Sequence, residues 1–170
     1  MLLNINISYF KVILVSFVFA IFITGCALKQ GADNIKAQEQ SSKSLQIFIK
    51  SPLIRINDAG FVHANKKGIL VQVYSLARPI LQLELAQKIC VNKACRARAD
   101  FNKRFFGREY YNSLLDDIVL SKPIFNAKNL KANDCGGFSQ KIEQISYEVC
   151  ANKSTFSLAN SVKISLTKIE

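Results

Sequence analysis

Tryptophan is absent from this chain of 170 residues, histidine occurs once, and 12 acidic side chains face 23 lysines and arginines. Each shortage removes a class of function. A hydrolytic site needs a nucleophile beside an oriented base. His63 is the one imidazole, it lies in a strand-like segment, and no serine or aspartate signature accompanies it. It reads as an ordinary strand or rim histidine. Asp116 and Asp117 are adjacent, so on a helix they diverge by about 100° and read as a solvated face. Asp100 and Glu109 have no recognisable partner. The chain has no Cys-x-x-Cys pair, which with one histidine argues against a metal site, and Gly136-Gly137 has neither the spacing nor the lysine of a phosphate loop. The expectation is a non-enzymatic protein with no catalytic residue, no metal and no cofactor.

The first 26 residues carry more information. Lys11 precedes an apolar run from Val12 to Ile23, followed by Thr24-Gly25-Cys26. This is the layout of a secretory signal, with a charged start, a short apolar core and a small-residue cleavage point. The apolar core of about a dozen residues is shorter than the ~20 a spanning helix needs. With a cysteine directly after the cleavage point, Ile23-Thr24-Gly25-Cys26 resembles the lipobox of bacterial lipoproteins. The resemblance implies that residues 1–25 are a signal peptide and that Cys26 becomes a lipidated N-terminus inserted in a membrane. Ala27, where an aspartate would favour inner-membrane retention, implies the outer membrane; the domain is expected on its periplasmic face, which no residue discloses.

Removing residues 1–25 takes out Lys11 and no acid, so the net charge falls from +11 to +10. An exported, tethered chain does not meet nucleic acid in normal work. The charge therefore reads as attraction to anionic headgroups, lipopolysaccharide or an acidic partner, or as a solvated basic surface. Lys103, Arg104 and Arg108 are the basic residues expected to meet a headgroup.

With Cys26 committed to lipid, Cys90, Cys95, Cys135 and Cys150 remain, an even number in an oxidising compartment. A two-residue turn at Asn92-Lys93 would set Val91 opposite Ala94 and Cys90 opposite Cys95, within disulfide reach. Cys135 and Cys150 are then left for each other.

Residues 27–44 are polar, lack aromatics and have no stable period. They read, with Cys26, as a tether over 26–44 that reaches roughly 24 Å as a flexible coil. A single β-rich, periplasmic-type domain is expected over 45–170. Leu45–Ile49, Leu53–Ile56, Phe61–His63, Ile69–Tyr74 and Leu81–Leu85 read as strands, with turns at 57–60 and 65–68. Cys90–Cys95 pairing would set Arg96, Arg98 and Asp100 on the same sheet face as Leu85 and Ile89, a conflict that a bulge or a partly wet face would resolve. In 108–120, residues 111, 114, 115 and 118 share a helical face, and Pro123 ends that helix. Residues 126–139 read as loop, followed by strands around 145–149 and 162–166. The expected fold class is α+β: a curved antiparallel sheet or open β-barrel with one central amphipathic helix packed on it. Leu76, Leu81, Leu83, Leu85, Tyr111, Leu115 and Ile118 could line an apolar ligand pocket between sheet and helix, or be its core.

The stretch 68–125 resembles the outer-membrane lipoprotein receptor family (LolB-type), related in fold to the periplasmic lipoprotein carrier. The resemblance is carried by Val73–Leu85, which matches the family's strand, short proline-containing loop and strand, by the hairpin and helix that follow, and by the stop at Lys122-Pro123-Ile124-Phe125. It implies an open antiparallel barrel with helices across its mouth, and a lipid or another lipoprotein as ligand. Leu76 is nearest to the family's exposed apolar loop residue. The family's tryptophan after the helix is missing and the four paired cysteines are outside its pattern. Two other readings are a structural or assembly lipoprotein docking on an outer-membrane or motility complex through its sheet edges, and a surface adhesin.

Overall fold

A computed structural model of the protein describes residues 41–169; the expected signal peptide, Cys26 and the expected tether up to residue 40 lie outside them. Eleven strands form one antiparallel sheet: β1 (Ser41–Lys50), β2 (Arg55–Asn65), β3 (Gly68–Ser75), β4 (Arg78–Leu85), β5 (Lys88–Val91), β6 (Ala94–Ala97), β7 (Leu130–Asn133), β8 (Gly137–Ile142), β9 (Ile145–Val149), β10 (Lys153–Leu158) and β11 (Val162–Lys168). Their order is β6-β5-β4-β3-β2-β1-β11-β10-β9-β8-β7, so the first and last strands pair in the middle and β6 and β7 form the edges. Two short helices, α1 (Arg98–Phe106) and α2 (Leu114–Val119), lie in the segment joining those edges.

The α+β expectation is therefore corrected: this is a β fold, one continuous open sheet whose helices, among the described residues, lie in its crossover. Strict alternation builds it. Leu45, Ile47 and Ile49 of β1, Val71 and Val73 of β3, Leu81, Leu83 and Leu85 of β4, Tyr147 of β9, Phe156 of β10 and Ile164 of β11 are all buried and belong to one core. The helices contribute Phe101, Phe105, Phe106, Leu114, Leu115 and Ile118 to that same core.

The expected central helix over 108–120 forms only at Leu114–Val119, and a longer helix, α1, occupies Arg98–Phe106. Gly107 divides them: at φ 79 it takes the left-handed conformation that ends α1. The facing conflict at Arg96, Arg98 and Asp100 vanishes because the strand stops at Ala97 and the chain turns helical. Residues 57–60 are not a turn. β2 runs straight through them, and Gly60 is needed because a Cβ there would collide with the Gln72 carbonyl. The domain also begins earlier than residue 45. Ser42, Lys43 and Ser44, assigned to the tether, pair with His63, Val62 and Phe61 of β2. Within the expected loop 126–139, Leu130–Asn133 forms edge strand β7.

Both disulfides form. Cys90 and Cys95 are directly paired across the β5–β6 hairpin, whose Asn92 and Lys93 take φ 47 and 74, as a two-residue turn requires. Cys135 joins Cys150 across the neighbouring ends of β8 and β9, with Cα atoms 5.1 Å apart. By loop entropy, replacing the second pair with serines should cost about 3 kcal/mol, against about 2 kcal/mol for the first. Urea denaturation of the two double-serine variants checks that order.

Candidate functional site

Antiparallel pairing sends alternate turns to opposite ends of the sheet. At one end lie the β1–β2 turn, with Leu53, and the β3–β4 turn, with Leu76. At the other lie the start of β1, the β2–β3 turn Lys66-Lys67, the β4–β5 turn and the start of α1.

The Leu76 end exposes large apolar side chains beside the cations Lys50, Arg55 and Arg78. Leu76 is 97 % exposed at the tip of its hairpin, with Ile80 at 41 % and Leu53 at 46 %. Leu76 and Ala77 have φ 47 and 62. That left-handed pair belongs to glycine or asparagine, and other residues hold it at a cost of about 1–3 kcal/mol each. On the outer face of β2 and β3, Phe61 contacts the His63 and Tyr74 rings at centroid distances of 6.0 and 5.9 Å. Histidine 63 has no nucleophile or carboxylate hydrogen-bonded to it among the described residues, and its buried Nδ1 is without a partner.

The expected pocket residues divide sharply. Leu81, Leu83 and Leu85 from β4 and Leu115 and Ile118 from α2 are brought together in the buried core, and Tyr111 packs against it. Leu76 stands apart from all of them in solvent. Phe101, Phe105 and Phe106 of α1 fill the space against these residues, ring on ring, at centroid distances of 5.5 and 4.9 Å. No family model and no curated protein matches the chain.

Asp116 and Asp117 are not a solvated face. Arg98 donates to both Asp116 oxygens at 2.6 and 3.0 Å and to the backbone carbonyls of Ala86 and Asn112. Asp117 accepts the Tyr111 hydroxyl at 3.0 Å. Its burial, together with the neighbouring Asp116 charge, holds its carboxyl above the ordinary aspartate range. Tyr111 is raised in turn, by burial first and then by the Asp117 charge.

Of the basic residues expected to meet a headgroup, Arg104 is paired with Asp100, which also receives Arg96. The Arg104 hydrogen bond holds Asp100 below its ordinary value. Arg108 sits 3.8 Å from Glu143 and over the Tyr110 ring at 5.5 Å. Only Lys103 stays outside these pairs.

A residue that sequence reasoning missed is Gln140. It is buried, accepts the Ile124 N–H at 2.8 Å and donates to the carbonyls of Ile124 and Lys128 at 2.9 and 2.7 Å. It thereby clamps a stretch in which Phe125, Asn126 and Ala127 all have positive φ. Nothing in its strand's alternation distinguishes it, apart from a glutamine at an inward position.

Proposed function

We propose that this protein is a lipid-anchored envelope lipoprotein, bound to the outer membrane through Cys26, whose non-enzymatic domain takes up the acyl chains of a lipid or another lipoprotein. The reading follows the resemblance to the LolB-type receptor family. The observation that carries it is Leu76: a large apolar side chain, almost wholly in water, at the tip of a turn that would be relaxed by glycine. Stability is given up to hold that leucine out, which is the mark of a side chain meant to enter an apolar environment. The open sheet, with a helical crossover packed on its buried face, supplies the apolar interior in which acyl chains would take the place of the α1 phenylalanines.

Leu76→Gly tests this because its two effects have opposite sign. Removing the left-handed strain should raise stability by about 1 kcal/mol. Removing the side chain forfeits about 2 kcal/mol of apolar burial, which is about a thirtyfold weaker binding of a triacylated lipopeptide. Native mass spectrometry and thermal denaturation of the full chain read both. A wild-type chain that never carries lipopeptide would overturn the reading. It would favour the docking lipoprotein instead, for which the side-chain-filled interior speaks. Crosslinking that captures one stoichiometric envelope partner is the outcome expected there.

A further inference from the structure

The end of the sheet opposite Leu76 holds an open cleft of about 810 Å³. Its rim carries Lys43 from β1, Lys66 and Lys67 from the β2–β3 turn, and Lys122 from just beyond α2, while half-buried Leu120 and the edge of Ile69 give it apolar surface. A smaller hollow of about 250 Å³ shares Lys43 and adds Lys153 and Lys168. None of these six lysines takes part in an ion pair among the described residues. The two carboxylates in the cleft are already engaged, Asp116 by Arg98 and Asp117 by the Tyr111 hydroxyl. Arg98 cancels the Asp116 charge, which leaves Asp117, felt most directly by Lys122, as the one counter-charge against four lysines, so the concave space is net positive. Their placement is fixed by structure: Lys43 lies in a paired strand, and the Lys67 N–H donates to Asn65 Oδ1 at 2.8 Å, holding the turn in shape.

We infer that this cleft binds the phosphate-bearing headgroup of an anionic membrane lipid, with the phosphate among the lysines and the first carbons of the lipid against Leu120 and the edge of Ile69. Clustered cations around a concavity focus the field on an anion. The cleft is too large for phosphate alone, its lining is partly apolar, and it contains no aromatic ring on which a nucleobase would stack. The chain also enters the domain here, since Ser41 pairs with Ala64 beside the lysine turn. The choice of a membrane lipid rests on the lipoprotein reading, under which Cys26 lies 15 residues before Ser41, at most about 50 Å of extended chain.

Lysine footprinting of the full chain tests the site without relying on a variant that must fold. Amine acetylation followed by mass spectrometry is run in uncharged detergent micelles, in micelles doped with phosphatidylglycerol or phosphatidylcholine, and with inorganic phosphate. Phosphatidylglycerol should slow modification of Lys43, Lys66, Lys67 and Lys122 about fivefold, leave Lys103 unchanged, and have no counterpart with phosphatidylcholine. Equal slowing at every lysine would mean diffuse attraction and overturn the site. Equal protection by inorganic phosphate would overturn the lipid assignment, and no protection would overturn both. Lys66→Glu combined with Lys122→Glu should abolish the protection of Lys43 and Lys67. Leu76→Gly should keep it, so failure of acyl uptake and failure of this cleft are read separately.

Discussion

Phe106→Ala should destabilise the domain by about 3–5 kcal/mol, the cost of truncating a buried phenylalanine whose cavity cannot collapse. Phe106 is buried as the last residue of α1. Its ring meets Phe105 at 4.9 Å, Tyr110 at 5.5 Å and Phe156 of β10 at 5.9 Å. It thus ties the crossover to the second half of the sheet, while β6 leads into the crossover from the first half. Equilibrium urea denaturation should show a lower midpoint with an unchanged slope. Lys103→Ala, one turn away on the exposed side of α1, should stay within about 0.5 kcal/mol of wild type. A loss below about 1 kcal/mol at Phe106 would show that the helices contribute little to the core and leave the interior without strong hold on them.

Arg98→Ala should cost about 2–3 kcal/mol. The guanidinium and the Asp116 carboxylate have only 16 % and 18 % of their side-chain surface exposed, so the pair is largely screened from water. Four hydrogen bonds from this one side chain join the β4–β5 turn, residue 112 and α2. Removing the cation strands a half-buried carboxylate, and that uncompensated charge dominates the loss. Arg98→Ala combined with Asp116→Ala should therefore cost less than the two single changes added together, a coupling that a double-mutant cycle measures directly. Arg98→Lys should recover little, because an ammonium cannot reproduce the two-pronged contact.

Much of the sheet was legible because a strand's period is two and one face is buried. Leu81, Leu83 and Leu85 announced both the strand and its inward face. The β5–β6 hairpin and its cysteine pair followed from one two-residue turn. Elsewhere local signals misled. Asn57, Asp58 and Gly60 have the composition of a turn, yet they lie in mid-strand, because Gly60 answers to a carbonyl of the neighbouring strand rather than to its own backbone. Four of the nine residues of α1 are charged, which hid its helical spacing of Phe101 and Phe105, and Gly107 moved the helix boundary away from where periodicity put it. The site was readable only in part. Leu76 was found by its place between two strands. The lysine cleft was not, since Lys43, Lys66 and Lys122 are far apart in sequence and meet only when antiparallel pairing delivers their segments to one end.

The pairing of β1 with β11 has a bearing on how the protein comes into being. The strand synthesised first must wait at the centre of the sheet for the strand synthesised last, as Leu45 with Lys168 illustrates. The meander β1–β6 and the meander β7–β11 can each assemble from neighbours in sequence, but their joining requires the whole chain and a large loop to close. Under the lipoprotein proposal the chain would cross a membrane in extended form, and its central seam would close only once that passage is complete.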